Sequence, residues 1–214
     1  MRLRIRRTDA GGAALTDSAP VPFVGLTGGM GSGKSTALEA LERLGAVTLS
    51  TDEVVHSLYE RQDVVDQVVE RWGVEAAPTG AVDRAALARF AFADPDERAW
   101  LEGLIWPLVA QEVASFRVRS LAHTPVPRAA VVETPLLFEA GMDKIYDATV
   151  AVIASEELRA ERAAQRGHEA ADERHARQMS QQEKAERATY VVVNDGTTAE
   201  LESELASILD RISQ

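Results

Sequence analysis

The chain has 214 residues, a length that suits one substantial domain with insertions better than two full domains. Hydrophobic residues make up 45% of the sequence and charged residues 27%, which excludes a disordered or fibrous protein. The formal net charge of −11, without a local basic stripe, argues against binding to nucleic acid, and the absence of cysteine excludes disulfides, thiolate zinc sites and a cysteine nucleophile.

Residues 1–20 are expected to be an extension without regular structure. They begin with several arginines and continue into a stretch of small and polar residues, which buries too little surface to offset the entropy cost of ordering. No apolar run long enough for a secretory signal follows the arginines, and no later segment approaches the roughly 20 apolar residues of a membrane span. We therefore expect the domain proper at 21–214, in the cytoplasm and without a membrane partner.

Short apolar runs then alternate with longer amphipathic ones, a pattern typical of a parallel sheet covered by helices. The pattern predicts an α/β fold with a five-stranded parallel sheet flanked by helices, and the first helix is expected to start near Lys34. All five strands look buried. They are predicted at residues 23–26, 47–49, 129–132, 148–153 and 190–193.

About 80 residues separate the second predicted strand from the third, far more than a single crossover needs. We expect a helical, substrate-binding insertion at about 54–123, with one helix capped by Asp83, another starting at Asp94-Pro95 and an interruption at Trp106-Pro107. A second helical excursion at about 156–188 is rich in Arg and Glu and is interpreted as a mobile lid. A final helix at 199–212 carries its apolar residues at helical spacing and should close the core.

Residues 28–35 spell a phosphate-binding loop between the first strand and the first helix. The pattern is G-x-x-x-x-G-K-[ST], in which glycines let consecutive backbone N–H groups turn toward phosphate oxygens and the helix adds its positive end. Lys34 is expected to reach the β- and γ-phosphates of ATP, and the Ser35 hydroxyl to coordinate Mg²⁺. The residues expected to bind ATP here are Gly28, Gly29, Met30, Gly31, Ser32, Gly33, Lys34, Ser35 and Thr36.

Such a loop alone does not separate a kinase from a GTPase, an ATPase motor or a regulatory switch. A guanine-reading segment of the form Asn/Thr-Lys-x-Asp is missing, and the chain is too short for a motor with its usual accessory regions. A kinase of a small molecule is therefore the leading interpretation. Two alternatives stay open, a kinase of another small alcohol or nucleotide and a catalytically silent ATP-binding regulatory protein.

Four segments of the sequence together are specific enough to indicate a family. They are Leu26 to Thr36, Asp52, Pro135-Leu136-Leu137-Phe138-Glu139 and Gln178-Met179. With these segments the chain resembles the dephospho-CoA kinase family from about residue 23 to its end. The resemblance implies a nucleoside-kinase-like fold with an inserted region and a lid, ATP as phosphate donor and the ribose 3′-hydroxyl of dephospho-CoA as acceptor.

Asp52 matches the family's catalytic aspartate and is expected to act as general base, with Lys34 as the second catalytic residue. Its alternative role is to cap the helix that follows. The resemblance also places Arg166, Arg174 and Asn194 at ATP, although Arg residues in this segment, Arg162 among them, could instead form a solvated face. On the acceptor side the expected contacts are Thr27, Asp52, Trp106, Leu136 and Glu139.

Four positions differ from the family's usual residues. Trp106 stands in place of a histidine, and it either lines the acceptor pocket or anchors the core of the insertion. The other three positions usually hold aspartate and are occupied by Ser50, Glu133 and Thr189. These differences leave the ATP site intact and bear on the acceptor.

Overall fold

The computed structural model describes residues 21–165 and 178–213. Strands β1 to β5 span Phe23–Gly28, Val47–Ser50, Ala130–Glu133, Ala148–Ile153 and Tyr190–Val193. Helices α1 to α5 span Lys34–Arg43, Thr51–Leu58, Gln62–Trp72, Arg84–Ala93 and Pro95–Leu121. Helices α6 to α8 span Glu156–Gln165, Gln181–Arg187 and Thr198–Ile212, and short 3₁₀ turns cover Val74–Ala76 and Met142–Ile145.

The strands form one five-stranded parallel sheet in the order β2-β3-β1-β4-β5, as the sequence predicts. β1 is central and pairs with β3 and β4, with Leu26 opposite Glu133 and Gly28 opposite Val152. The expectation that all five strands are buried is wrong for the two outer ones, since β2 is only half-buried and β5 buries a single residue, Val192. An edge strand has a neighbour on one side only and is covered less completely.

The core beside the sheet consists of strand residues packed against α1 and α8. Alternating valines and Leu26 of the strands meet Ala37, Ala40 and Leu41 of α1. The final helix closes this core as predicted, with Leu201, Leu205, Ile208 and Leu209 all buried. This packing fixes the end of β1 and the start of α1, and hence the loop between them.

The chain divides into two compact units. Of the described residues, the first unit contains 21–49, 117–165 and 178–213, and the second is Ser50–Phe116. The second unit is helical and overlaps the predicted insertion. Asp83 caps α4 as expected, because its Oδ1 accepts from the N–H of Ala86 at 2.8 Å.

An aromatic cluster stabilises the second unit. The Trp72 ring stacks on Phe90 with 5.7 Å between centroids and meets Trp100 edge-on at 5.0 Å. Its Nε1 donates to Glu97 Oε2 at 2.6 Å, and Arg71 donates to the same carboxylate. Hydrogen bonds from Arg71 and Trp72 lower the pKa of Glu97.

α5 runs unbroken from Pro95 to Leu121, so the predicted interruption at Trp106-Pro107 is wrong. A proline inside a helix removes one N–H donor, and its ring crowds the carbonyl four residues earlier. Gly103 occupies that earlier position, where a Cβ would have no neighbour within 4 Å, and glycine gives the backbone freedom to adjust. The buried residues Val109 and Val113 hold the following turns in place. Among the described residues, no helix is both long and apolar enough to span a membrane.

Candidate active site

The loop at residues 29–33 joins the carboxyl end of the central strand β1 to α1. Gly31 and Gly33 adopt φ values of 71° and 90°, in the left-handed region that disfavours residues with a side chain. A Cβ at Gly28 would lie 2.3 Å from the carbonyl oxygen of Val152, and one at Gly33 would lie 2.1 Å from Nδ2 of Asn194. These three glycines are therefore required by backbone conformation or by close packing.

Four consecutive carbonyls of the loop each accept a hydrogen bond from a side chain. A trans peptide unit is planar, with its N–H pointing opposite to its C=O, so a carbonyl that is held by a side chain also fixes the direction of the next N–H. One of these N–H groups, that of Ser32, donates to the Gly29 carbonyl at 3.3 Å. The pairs are Lys34 Nζ to Gly29 O at 3.2 Å, Arg159 Nε to Met30 O at 2.9 Å, Arg162 Nη1 to Gly31 O at 3.4 Å and Asn194 Nδ2 to Ser32 O at 2.9 Å. We call Arg159, Arg162 and Asn194 the carbonyl clamp.

The electrostatics of the loop suit a polyphosphate. Lys34, Arg159 and Arg162 gather three cationic groups around it, while Glu156 pairs with Arg159 at 2.7 Å. Gly33 is the N-cap of α1, so the positive end of that helix also faces the loop. Ser35 is exposed in the first turn of α1. The arrangement can bind several negatively charged oxygens at once.

The structure shows what Asn194 and Arg162 contact within the fold, while the contact of Asn194 with ATP stays a prediction. Asn194 is buried and acts on the loop through the Ser32 carbonyl, and Arg162 contacts the Gly31 and Asn194 carbonyls rather than forming a solvated face. Ser32 is buried, and its hydroxyl has no hydrogen-bond partner within the described residues. Arg166 and Arg174 lie outside the described residues.

Asp52 is exposed in the first turn of α2, in the second unit. The helix begins at Thr51 and its N-cap position is Ser50, so the alternative in which Asp52 caps the helix is wrong. A carboxylate in the first turn is favoured by the helix dipole. The role of Asp52 as general base stays a prediction.

The acceptor-side residues of the first unit are largely engaged within the fold. Thr27 is fully buried and its hydroxyl donates to the carbonyl of Pro135 at 3.4 Å, while Leu136 is half-buried. Glu139 accepts the N–H of Met179 at 2.8 Å and pairs with Lys184 at 3.0 Å. Their contacts with a substrate stay predictions.

Trp106 lies in the second unit and is 52% exposed, so the alternative in which it anchors the core of the insertion is wrong. Thr189 forms a reciprocal pair of hydrogen bonds with Thr149, whose N–H donates to Thr189 Oγ1 at 3.1 Å and whose Oγ1 accepts from the Thr189 N–H at 3.0 Å. Thr189 thus ties β5 to β4. Glu133, at the end of β3, is buried.

Sequence reasoning missed two cationic residues of the first unit. Lys184 is fully buried in α7, where it pairs with Glu139 and also donates to the carbonyl of Pro135. The available signal was the capping box that begins at Ser180, which predicts where the helix starts but not that Lys184 faces inward. For Arg159 the only signal was its spacing from Arg162, which puts both on one face of a helix.

Comparison with known proteins finds a family model and relatives that share one description. Residues 22–200 match the family model described as dephospho-CoA kinase. The dephospho-CoA kinase of Syntrophotalea carbinolica is 35% identical over 194 residues, which cover 88% of this chain and 91% of that protein. The dephospho-CoA kinase of Geobacter sulfurreducens is 36% identical over 196 residues, covering 87% and 96%.

Two solved structures share the fold. The crystal structure of TT1252 from Thermus thermophilus superposes with a TM-score of 0.73 at 32% identity, over 89% of this chain and 98% of that one. The dephospho-CoA kinase from Campylobacter jejuni gives a TM-score of 0.60 over 89% of this chain and 97% of that one, and at 21% identity it shows the fold alone.

Proposed function

The chain belongs to the dephospho-CoA kinase family and phosphorylates dephospho-CoA with ATP, and on this premise we propose how its own residues carry the transfer. The acceptor is the ribose 3′-hydroxyl, so the products are coenzyme A and ADP. A kinase of another small alcohol and a silent regulatory protein are not favoured. A cytoplasmic location, expected from the cysteine-free sequence, is part of the proposal.

The geometry of the phosphate-binding loop is the observation that supports this proposal most directly. Side chains hold the carbonyls of Met30 and Ser32 and so fix the direction of the N–H groups of Gly31 and Gly33, which we expect to donate to the β- and γ-phosphates of ATP at the N-terminus of α1. Lys34 stabilises the negative charge on the phosphoryl group as it leaves ADP.

Ser35 suits the role of magnesium ligand, because its side chain is exposed in the first turn of α1 and a hydroxyl is one of the oxygen ligands that this ion accepts. When bound, Mg²⁺ neutralises charge on the phosphates. Among the described residues, no cluster of three His, Asp or Glu side chains is arranged to hold a metal by itself.

Asp52 accepts the proton of the 3′-hydroxyl. As the bond between that oxygen and the γ-phosphorus forms, the bond from phosphorus to the β,γ-bridging oxygen breaks, and the hydroxyl proton passes to the Asp52 carboxylate. Three features support the assignment: the residue follows β2 by two positions, its side chain is exposed, and Ser50 rather than Asp52 occupies the cap position.

On the acceptor side, we assign the exposed ring of Trp106 to packing against the adenine or the pantetheine arm of dephospho-CoA. Leu136 contributes apolar surface. Thr27 and Glu139 act mainly by holding the Pro135–Glu139 backbone. Arg166 and Arg174 remain assigned to ATP on the family pattern.

The experiment is incubation with ATP, Mg²⁺ and dephospho-CoA, followed by mass-spectrometric detection of coenzyme A. Lys34→Ala should abolish product formation, whereas Lys144→Ala, which removes an exposed lysine of a 3₁₀ turn, should leave it unchanged. ATP turnover without coenzyme A would contradict the acceptor. Product formation by a folded Lys34→Ala protein at the wild-type rate would contradict the role of the loop.

A further inference from the structure

We propose that Arg159 is a positioning residue of the nucleotide site, which holds the Met30–Gly31 peptide of the phosphate-binding loop in the orientation that presents its N–H to phosphate. The proposal rests on the function proposed above only in taking ATP or ADP as the ligand. It assigns Arg159 a task through the loop backbone rather than a contact with the nucleotide.

The contacts of Arg159 place it directly against the loop. Nε donates to the carbonyl of Met30 at 2.9 Å, and a Cβ added to Gly29 would lie 3.3 Å from Nη2. The backbone of α6 also approaches closely, because a Cβ added to Gly31 would lie 2.6 Å from the carbonyl oxygen of Arg159. The side chain is only 22% exposed, and Nη1 pairs with Glu156 at 2.7 Å.

The Met30–Gly31 peptide needs an external partner to fix its orientation. Rotating this peptide unit changes ψ of Met30 and φ of Gly31, and glycine populates positive and negative φ about equally. Gly31, at its observed φ of 71°, therefore gives this peptide little intrinsic preference for one orientation over the other. The hydrogen bond from Arg159 to the Met30 carbonyl selects one orientation, and planarity then turns the Gly31 N–H to the opposite side.

The neighbouring peptides have their own partners. Arg162 holds the Gly31 carbonyl and Asn194 holds the Ser32 carbonyl. Loss of Arg159 should therefore release one peptide unit and leave the remainder of the loop in place. Only loops with this peptide in the right orientation would then bind the nucleotide tightly. The measured affinity for ATP or ADP should fall in proportion to the fraction of molecules in that orientation.

The size of the effect follows from the kind of bond. A hydrogen bond to a charged group commonly favours the state that contains it by about tenfold to hundredfold, here one orientation of the Met30–Gly31 peptide over the other. Arg159→Met should raise the dissociation constant of Mg-ADP and the KM for ATP by about tenfold or more. The KM for dephospho-CoA and the melting temperature should change little.

The experiment combines calorimetric titration with Mg-ADP, steady-state kinetics for both substrates, and the Gly31 amide signal in ¹⁵N NMR of the ligand-free protein. Glu156→Gln is the matched control: it removes the ion pair of Arg159 but leaves the bond to Met30, so it should bind ADP like the wild type. Arg159→Lys keeps the charge and should restore part of the affinity. The Gly31 signal should move in Arg159→Met and stay in Glu156→Gln.

Unchanged ADP affinity in a folded Arg159→Met protein would overturn the inference. Equal rises in both KM values, or loss of the fold in both Arg159 variants, would also overturn it, because either result assigns Arg159 a general structural role. Wild-type protein that binds ADP but makes no coenzyme A would contradict the proposed function alone, and the comparison of ADP affinities would still decide the role of Arg159.

Discussion

At the scale of single residues, Asp52 allows chemistry to be separated from binding. Asn has nearly the same shape and still accepts a hydrogen bond, but it does not take up a proton at neutral pH. Asp52→Asn should therefore fold and bind Mg-ATP normally while kcat falls by about 10²- to 10⁴-fold, the usual contribution of a positioned base. Steady-state kinetics with a calorimetric check of ATP binding measures both quantities.

Glu53→Gln is the control for Asp52, because Glu53 is exposed in the same turn of α2 and its substitution removes the same charge. It should leave kcat unchanged. A folded Asp52→Asn protein that retains more than about a third of wild-type kcat would rule out the general-base role, for which a loss of about 10² or more is expected.

Lys184 is a buried charge whose removal should affect stability before activity. Lys184→Met leaves the Glu139 carboxylate, which is 15% exposed, without its cation. Breaking a buried pair in this way commonly costs about 3–5 kcal/mol. Urea unfolding should show a loss of that order, and Lys184→Met/Glu139→Leu should lose less than the single variant because no unpaired charge remains. A double variant less stable than Lys184→Met would contradict this account.

Tyr146 predicts a stability change at alkaline pH. Burial raises the pKa of its hydroxyl to about 12. A hydrogen bond with Thr134 lowers this pKa, but by less than burial raises it. The folded protein therefore favours the neutral phenol, and the stability that this contributes is complete below the ordinary pKa of about 10 and is lost as the pH rises toward 12.

The test for Tyr146 is urea unfolding of the wild type and of Tyr146→Phe. Relative to its own value at pH 8, the wild type should lose about 1 kcal/mol more than the variant at pH 11, because the unfolded phenol is then ionised and the folded one is not. The comparison cancels the other groups that titrate in this range. Equal losses in both proteins would show that the phenol of Tyr146 ionises normally.

At the scale of elements, Pro107 offers a direct test of the continuous helix α5. Pro107→Ala should restore an N–H that can donate to the Gly103 carbonyl, and it should stabilise the protein by roughly 1–2 kcal/mol in chemical denaturation. Pro95→Ala is the matched control, because Pro95 is the first residue of α5, where no donor is needed, and it should give no gain. A destabilised Pro107→Ala protein would mean that the helix depends on the proline.

Elements were predicted well where the signal is local. The strands and α8 follow from apolar periodicity, and the Asp83 cap follows from one residue type at one position. The predicted break at Pro107 was wrong because whether a proline breaks a helix here depends on Gly103 and on the packing of the following turns. The roles of Lys184 and Arg159 were not predicted, because the carbonyls that they bind, of Pro135 and Met30, lie 49 and 129 positions away. No local sequence pattern specifies such contacts.

At the scale of the whole molecule, the total charge follows directly from the sequence, whereas the positions of the charged groups depend on the fold. The net charge of −11 describes the long-range field, and the expectation that nucleic acid is not a partner rests on it and stays a prediction. The same number gives no sign of the cations that lie around the loop. Lys34 was predicted from its motif, since the motif itself states its task. Arg159 and Arg162 reach the loop only because the sheet order sets β4 and its following helix α6 beside β1.

The carbonyl clamp also bears on how the protein is made. Synthesis proceeds from the N-terminus, so the loop leaves the ribosome before the residues that hold its carbonyls, and Ser32 and Asn194 are 162 positions apart. A nascent chain that ends before Glu156 contains the complete motif but none of Arg159, Arg162 and Asn194. The carbonyl clamp can therefore form only after most of the chain has been synthesised.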